Sequence, residues 1–198
     1  MNFENFRRLF AGGSLIAVLV AASPALSLII TLPQGGERFS ELWLLGPDRM
    51  AEGYPFNIRA AEPYSVYLGV SNHMGRSMYY LACVKLRNQT QPLPNATTSA
   101  PSPLPSLYEL RAVVSDGETW EHRITFTVAD ASQSGNASAL EALRINDRLV
   151  RVEGSALWDP EHRGFYYQLF FELWLYNPAA QQFQFHDRFV GIWLNMTG

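Results

Sequence analysis

Three kinds of patterning follow one another along the chain. The first is an unbroken apolar run, Leu9 to Leu32 (LFAGGSLIAVLVAASPALSLIITL), 24 residues without a charge. A helix rises about 1.5 Å per residue, so roughly 20 apolar residues cross a hydrocarbon core about 30 Å thick. The run is long enough even with Pro24 inside it, and it exceeds the roughly 7–15 apolar residues of a signal peptide. It predicts an uncleaved transmembrane anchor. Cleavage after Ala25-Leu26-Ser27 is the alternative, opposed by the apolar Leu28-Ile29-Ile30 that follows. Arg7 and Arg8 directly precede the run, and basic residues tend to stay cytoplasmic. The pair also fits the start of a twin-arginine export signal, although two arginines before a span are ordinary topology markers. The organisation expected is a cytoplasmic tail (1–8), an anchor (9–32), a linker (33–36) and an extracytoplasmic domain (37–198).

The second pattern, of period two, dominates that domain and predicts strands. Phe39 to Leu45 is closed by Gly46-Pro47-Asp48, a turn signal. Tyr54-Pro55 marks an extended or turn segment. Tyr64 to Ser71 places Val66, Leu68 and Val70 on one side, and Ser71 to Gly75 reads as the next turn. In Met78 to Arg87 the apolar side is Tyr80, Ala82, Val84 and Leu86. Lys85 and Arg87 point the other way, with Cys83 on their side and therefore expected to be less buried than a core cysteine. Tyr108 to Val114 is a strand ended by Asp116-Gly117. Thr119 to Val128 alternates strictly, with Trp120, His122, Ile124, Phe126 and Val128 on one face, as in an antiparallel sheet with one wet side. Asp130 to Ser138 reads as loop. Leu143 to Val152 reads as a hairpin about Asn146-Asp147, with a helix over Ser138 to Ile145 as the competing reading. Phe165 to Tyr176 reads as a strand, and a helix capped by Asp159 with Pro160 first is its alternative. Asn177-Pro178-Ala179-Ala180 would turn it into a last strand, Phe183 to Asn195.

The third pattern has no period. Gln91 to Ser106 (QPLPNATTSAPSPLPS) holds five prolines among Ser, Thr and Ala. It cannot be strand or helix interior, and it predicts an extended, solvated loop inserted in the domain. Roughly eight strands separated by turn signals, with no helix expected after the anchor, give an all-β fold class: an antiparallel β-sandwich behind one N-terminal transmembrane helix.

Composition narrows the function classes. The net charge of −3 supplies no basic field, so no nucleic acid partner is expected. Cys83 is the only cysteine, which rules out an intramolecular disulfide. His73, His122, His162 and His186 are scattered, with no Cys or His pair at metal spacing, so no metal and no cofactor are expected. Four sequons agree with an exported domain: Asn88-Gln89-Thr90, Asn95-Ala96-Thr97, Asn136-Ala137-Ser138 and Asn195-Met196-Thr197. Each would be a surface glycosylation acceptor.

No motif discloses a biochemical activity, and the chain is not expected to be an enzyme. The carboxylates to inspect for glycoside chemistry are Glu172, with Asp159 or Glu161, since such chemistry needs two carboxylates at a set separation. Asn72-His73-Met74-Gly75 is better explained as a tight turn than as a site. The reading favoured is a cell-surface structural or protein-interaction module, with a protein partner or a second copy of the chain as its mate. The alternative is a carbohydrate-binding module. Aromatic rings combine an apolar face with a polar tip, and Tyr166, Gln168, Glu172, Trp174 and Tyr176 would share one face of the Phe165 to Tyr176 strand.

Several stretches taken in order resemble a known family. They are Glu37-Arg38-Phe39-Ser40-Glu41-Leu42 through Leu44-Leu45-Gly46-Pro47, then Tyr54-Pro55, Val70-Ser71-Asn72-His73, Tyr79-Tyr80 and the closing Phe189 to Thr197 (FVGIWLNMT). Together they resemble the archaeal membrane-protein family called domain of unknown function 1616, with the sharper motifs in Glu37–Arg87. The resemblance implies an extracytoplasmic, immunoglobulin-like β-sandwich on a membrane anchor. It implies no known activity and no catalytic residues. Members often have several spans where this chain has one, and an acid commonly follows the Asn-His pair where this chain has Met74.

Overall fold

The structure, a computed structural model, describes residues 37–197. The tail, anchor and linker expected over 1–8, 9–32 and 33–36 lie outside the described residues. Among the described residues no helix is long and apolar enough to cross a membrane.

The described chain is all-β: β1 (Phe39–Leu45), β2 (Asn57–Ile58), β3 (Pro63–His73), β4 (Met78–Asn88), β5 (Tyr108–Val114), β6 (Thr119–Ser134), β7 (Ala137–Ile145), β8 (Arg148–Asp159), β9 (Gly164–Asn177) and β10 (Gln182–Met196). They form one ten-stranded sheet in the order β1-β3-β6-β7-β8-β9-β10-β2, with β4 on β9 and β5 on β4. The pairs are antiparallel except β2 with β10, which run parallel, so the sheet is mixed where an antiparallel one was expected. It curls over itself. Leu68 of β3, Phe126 of β6 and Ile145 of β7 pack in one core with Val84 of β4, Phe171 of β9 and Leu194 of β10. Strand β8 makes the corner: it pairs along β7 and then, through Trp158 and Asp159, with the start of β9.

The period-two reading places most strands within a residue or two, and Phe165 to Tyr176 is strand β9. The turn at Asn146-Asp147 joins β7 to β8, with Asn146 in the left-handed region (φ 51°) that its short polar side chain tolerates. The favoured hairpin over Leu143 to Val152 is present, while one expectation and one competing reading give way. Asp130 to Ser138 is not a loop: β6 runs to Ser134 and β7 starts at Ala137. This arm is polar on both faces and paired through its backbone, with register shifts at Asp130, so no apolar alternation marked it. The helix over Ser138 to Ile145 is replaced by β7, whose Leu140, Leu143 and Ile145 join the core.

The proline-rich segment is a loop and mostly exposed, as expected, but it is not free of the sheet along its whole length. Its Ser102 is buried and lies against β4 and β9: the Ser102 N–H donates to Glu172 Oε1 at 2.8 Å, and Lys85 Nζ donates to the Ser102 carbonyl at 2.7 Å. Ser102 Oγ donates in turn to the Pro92 carbonyl at 2.9 Å, tying the segment's two limbs together. Proline removes N–H donors and fixes φ, so such a segment covers a face without offering a new edge. Cys83 is consequently buried, against the parity argument, and burial pushes its thiol pKa up to about 11. The face that parity marked as outer is covered.

Candidate functional site

Strand β9 has partners on both edges, β4 and the end of β8 on one side and β10 on the other. Its inward residues Tyr167, Leu169, Phe171 and Leu173 are wholly buried. Its outward residues are those that sequence reading assigned to one ligand face, and the structure divides them into three zones.

The middle zone is closed. Phe170 and Glu172 have no exposed surface. The Glu172 carboxylate accepts from the Ser102 N–H on Oε1, and from Lys85 Nζ (2.9 Å) and Trp174 Nε1 (3.1 Å) on Oε2. A buried charge persists only when paired and hydrogen-bonded, and this one has three donors. Glu172 is therefore a structural anchor for the loop, unavailable to a ligand, and no platform joins all five named residues.

At one end, Trp174 packs edge-on to Phe185 (centroids 5.8 Å) and Tyr176 to Phe183 (5.3 Å), with Tyr79 against Phe183 (5.1 Å). These rings consume one another's faces. The other end is open. Trp193 of β10 lies opposite Gln168, and Asn195 opposite Tyr166, in the β9–β10 register. Phe56, Gln89, Asp159, His162, Tyr166 and Trp193 line a cleft of about 340 Å³. Phe56 is 47% and Trp193 38% exposed. An apolar depression lined by Leu42, Trp43, Tyr54 and Val190 adjoins it across Phe56 and Trp193.

The polar groups of the cleft are held in place. Arg87 Nε donates to Gln168 Oε1 at 2.7 Å while its guanidinium lies 5.1 Å from the Trp193 ring centroid. Arg87 Nη1 also donates to the Gln91 carbonyl, at the root of the proline-rich loop. Tyr166 donates its hydroxyl to the His162 carbonyl at 2.6 Å, and its ring lies 6.0 Å from that of Phe56. Asp159 ends β8. Its Oδ1 accepts from the backbone N–H groups of Glu161 and His162, and its Oδ2 accepts from His162 Nδ1 at 2.9 Å. The two His162 bonds, backbone and side chain, hold the Asp159 pKa below the usual carboxylate range, and the carboxylate in turn raises the His162 pKa. Gln89 Nε2 reaches Asp159 Oδ2 at 3.5 Å.

Of the residues named from sequence, Tyr166 and Asp159 line the cleft, Gln168 lies outside it, opposite Trp193 in the register, and Glu161 follows Asp159 by two residues in the turn. Glu172, Trp174 and Tyr176 stand elsewhere. Sequence reading missed Phe56, Gln89, His162 and Trp193 as members of one site. The period of β10 does place Trp193 opposite in face to Ile192 and Leu194, but Phe56 follows a proline in an aperiodic segment and had no signal. Asn72 and His73 are the last residues of β3, paired with β1, where a turn was expected from Ser71; the Asn72 amide holds the following bend by donating to the carbonyls of Arg76 and Val114 (both 2.8 Å), and His73 stacks on Phe39. Among the described residues no group of three or more Cys, His, Asp or Glu side chains is placed to hold a metal ion.

The sequons also divide. Asn95 and Asn136 are exposed. Asn88 is partly buried and donates its amide to the Ser155 carbonyl at 2.7 Å. Asn195 is only 8% exposed and donates its amide to Asn57 Oδ1 at 3.0 Å. It is not a surface acceptor, because the chain end is a full strand of the sheet.

The sequence pattern of the family described as domain of unknown function (DUF1616) matches residues 33–140. The chain belongs to this family. The match reaches from before β1 into β7 and includes Phe56, Arg87 and Gln89. The cleft's Asp159, His162, Tyr166 and Trp193 lie beyond it. No curated protein matches the DUF1616 chain. Among solved structures, it is similar to a β-glucosidase from Listeria innocua in complex with isofagomine, at 10% identity and a TM-score of 0.42, over 81% of this chain and 16% of that one. The same enzyme in complex with glucose gives 13% and 0.43, over 82% and 17%. The complex of Zinc 2-glycoprotein and Prolactin inducible protein from human seminal plasma gives 8% and 0.39, over 83% of this chain and 100% of that one. The DUF1616 chain thus spans about a sixth of the glucosidase chains. At these TM-scores the likeness carries no argument about fold or activity.

Proposed function

We propose that this DUF1616 protein is a non-enzymatic binding module displayed outside an archaeal cell membrane, an immunoglobulin-like domain on the anchor at 9–32, and that the Phe56–Tyr166–Trp193 cleft is its recognition site for envelope carbohydrate. One observation carries this reading: exposed aromatic rings flank a cleft whose walls present amide and carboxylate groups already fixed by bonds to the protein. Such a surface meets the apolar face of a pyranose with a ring and its hydroxyls with the Gln89 amide, which Asp159 orients. Preorganised groups lose little entropy on binding. Exposed sequons at Asn95 and Asn136 fit the same outside location. The Asp159 carboxylate is committed to its own turn, which supports binding over catalysis.

The test is a glycan array followed by titration calorimetry on the detergent-extracted full chain. A saccharide that binds wild-type protein should bind at least about tenfold more weakly to Trp193→Ala and Tyr166→Ala, with unchanged melting temperature in the first. Absence of any saccharide ligand, or affinity indifferent to both substitutions, overturns the carbohydrate reading. A Trp193-dependent protein partner recovered by cross-linking on intact cells would replace the sugar while keeping the cleft.

A further inference from the structure

We infer that β5 is a homodimerisation edge, on which a second copy of this chain continues the sheet by antiparallel strand addition. Strand β5 pairs with β4 on one side and, among the described residues, with no strand on the other. An unpaired edge is a ready template for another strand, and chains commonly blunt it with charged side chains, proline, bulges or a very short strand; of these, β5 has only the charges Glu109 and Arg111. Here it is seven residues long, YELRAVV, with no proline and no shift in its β4 register. Its outward residues are Glu109, Arg111 and Val113, and Val113 is 71% exposed, the largest value among the exposed large hydrophobic residues.

The charges choose the occupant and the register. Opposed residues in an antiparallel pair share a face, so only registers that oppose outward residues with outward residues keep both apolar faces inward. Centring the two-fold on Glu109 opposes two carboxylates, and centring it on Arg111 opposes two guanidiniums. Centring it on Leu110 opposes Glu109 to the partner's Arg111 and Arg111 to the partner's Glu109, and sets Val113 against the partner's Leu107. The surface is self-complementary, as a two-fold interface requires. Within one chain the two groups already bond at 3.0 Å. Dimerisation exchanges the two intrachain pairs, one from each copy, for two equivalent pairs across the axis, with like charges kept apart.

Sedimentation equilibrium of the detergent-extracted full chain tests this. The wild type should be dimeric at micromolar concentration. Arg111→Glu and Glu109→Arg should each weaken the dimer roughly tenfold or more, because each places like charges opposite one another. An equimolar mixture of the two variants should form a heterodimer at least as tight as wild type, and the double variant should dimerise again. Both side chains are exposed, so melting temperatures should stay within about 2 °C. A monomeric wild type, or a dimer indifferent to these reversals, overturns the inference.

Discussion

At the middle of β9 the two faces are buried to the same degree by different means. Inward, Tyr167, Leu169, Phe171 and Leu173 meet the opposite layer of the curled sheet, and their only polar tip, the Tyr167 hydroxyl, donates to the Ser138 carbonyl at 2.8 Å. Outward, Phe170 and Glu172 are as fully enclosed, but there the Glu172 carboxylate is held by Lys85, Trp174 and Ser102 of the proline-rich loop. Apolar burial is non-directional and scales with area, so it degrades in proportion to what is removed. A buried ion pair behaves otherwise. Its attraction is set against desolvation, and loss of one partner leaves an uncompensated charge. The inner face is therefore graded in its response to substitution, and the outer face is all-or-none.

The largest effect expected follows from that difference. Lys85→Ala should cost about 3–5 kcal/mol in urea denaturation, because Glu172 stays buried without its cation. It should also open the 91–106 loop to limited proteolysis. Replacing both partners, Lys85→Met with Glu172→Leu, should recover most of that stability. Phe171→Ala on the inner face should cost a similar 3–5 kcal/mol, and no second substitution beside it should recover the loss. A double variant no better than Lys85→Ala would break the distinction.

A smaller effect belongs to the cleft end of the same strand. A Cβ on Gly164 would fall 2.2 Å from Asn195 Oδ1 and 2.9 Å from the Tyr166 ring. Gly164→Ala should therefore cost about 1–3 kcal/mol through overpacking and displace Tyr166, weakening whatever ligand the cleft holds. Gly117→Ala is the control: nothing lies within 4 Å of its Cβ position, and only its φ of 76° opposes the change. It should cost about 1 kcal/mol and leave binding unaltered. Thermal melts with ligand titrations separate the two.

The smallest effect sits on β10, next to the zone that neither face of β9 occupies. His186 lies 3.0 Å from Ser40 Oγ, which also bonds the Tyr80 hydroxyl at 2.7 Å. Burial, reinforced by neighbouring Arg188 and partly opposed by Asp187, lowers the His186 pKa. The unfolded chain then binds a proton that the folded chain does not. This contribution to stability is complete above the unfolded value of about 6.5 and is lost as pH falls toward the depressed folded value. His162 has the opposite sign: Asp159 raises its pKa, so its contribution is present below the unfolded value and lost as pH rises through the folded one. Its side chain is 65% exposed, so solvent screens it. Melting temperatures from about pH 5 to 8 should decline on the acid side for wild type, and the decline should shrink in His186→Gln.

Much of this molecule is legible in its strands because alternation reports one face at a time. Ile124, Phe126 and Val128, or Tyr80, Ala82 and Val84, name a buried side without reference to any partner. The same rule misled at Cys83 and Lys85, where the other side of β4 is buried too. It was silent over 130–138, where backbone pairing alone builds the β6–β7 arm. The cleft was partly legible: parity put Tyr166 on the outward face of its strand, whereas Phe56 and Trp193 arrive from segments far apart in sequence.

The sequence by itself determined the strand content, the turn at Asn146-Asp147 and the apolar core, since propensity and periodicity are local. It also carried the family relationship, in motifs concentrated between Glu37 and Arg87. The tertiary structure decided what lies over each outward face. It placed Ser102 on Glu172, sealed Asn195, and brought Phe56 beside Tyr166. These depend on which distant segment covers a strand, and a pattern of period two says only which way a side chain points, not what it meets there.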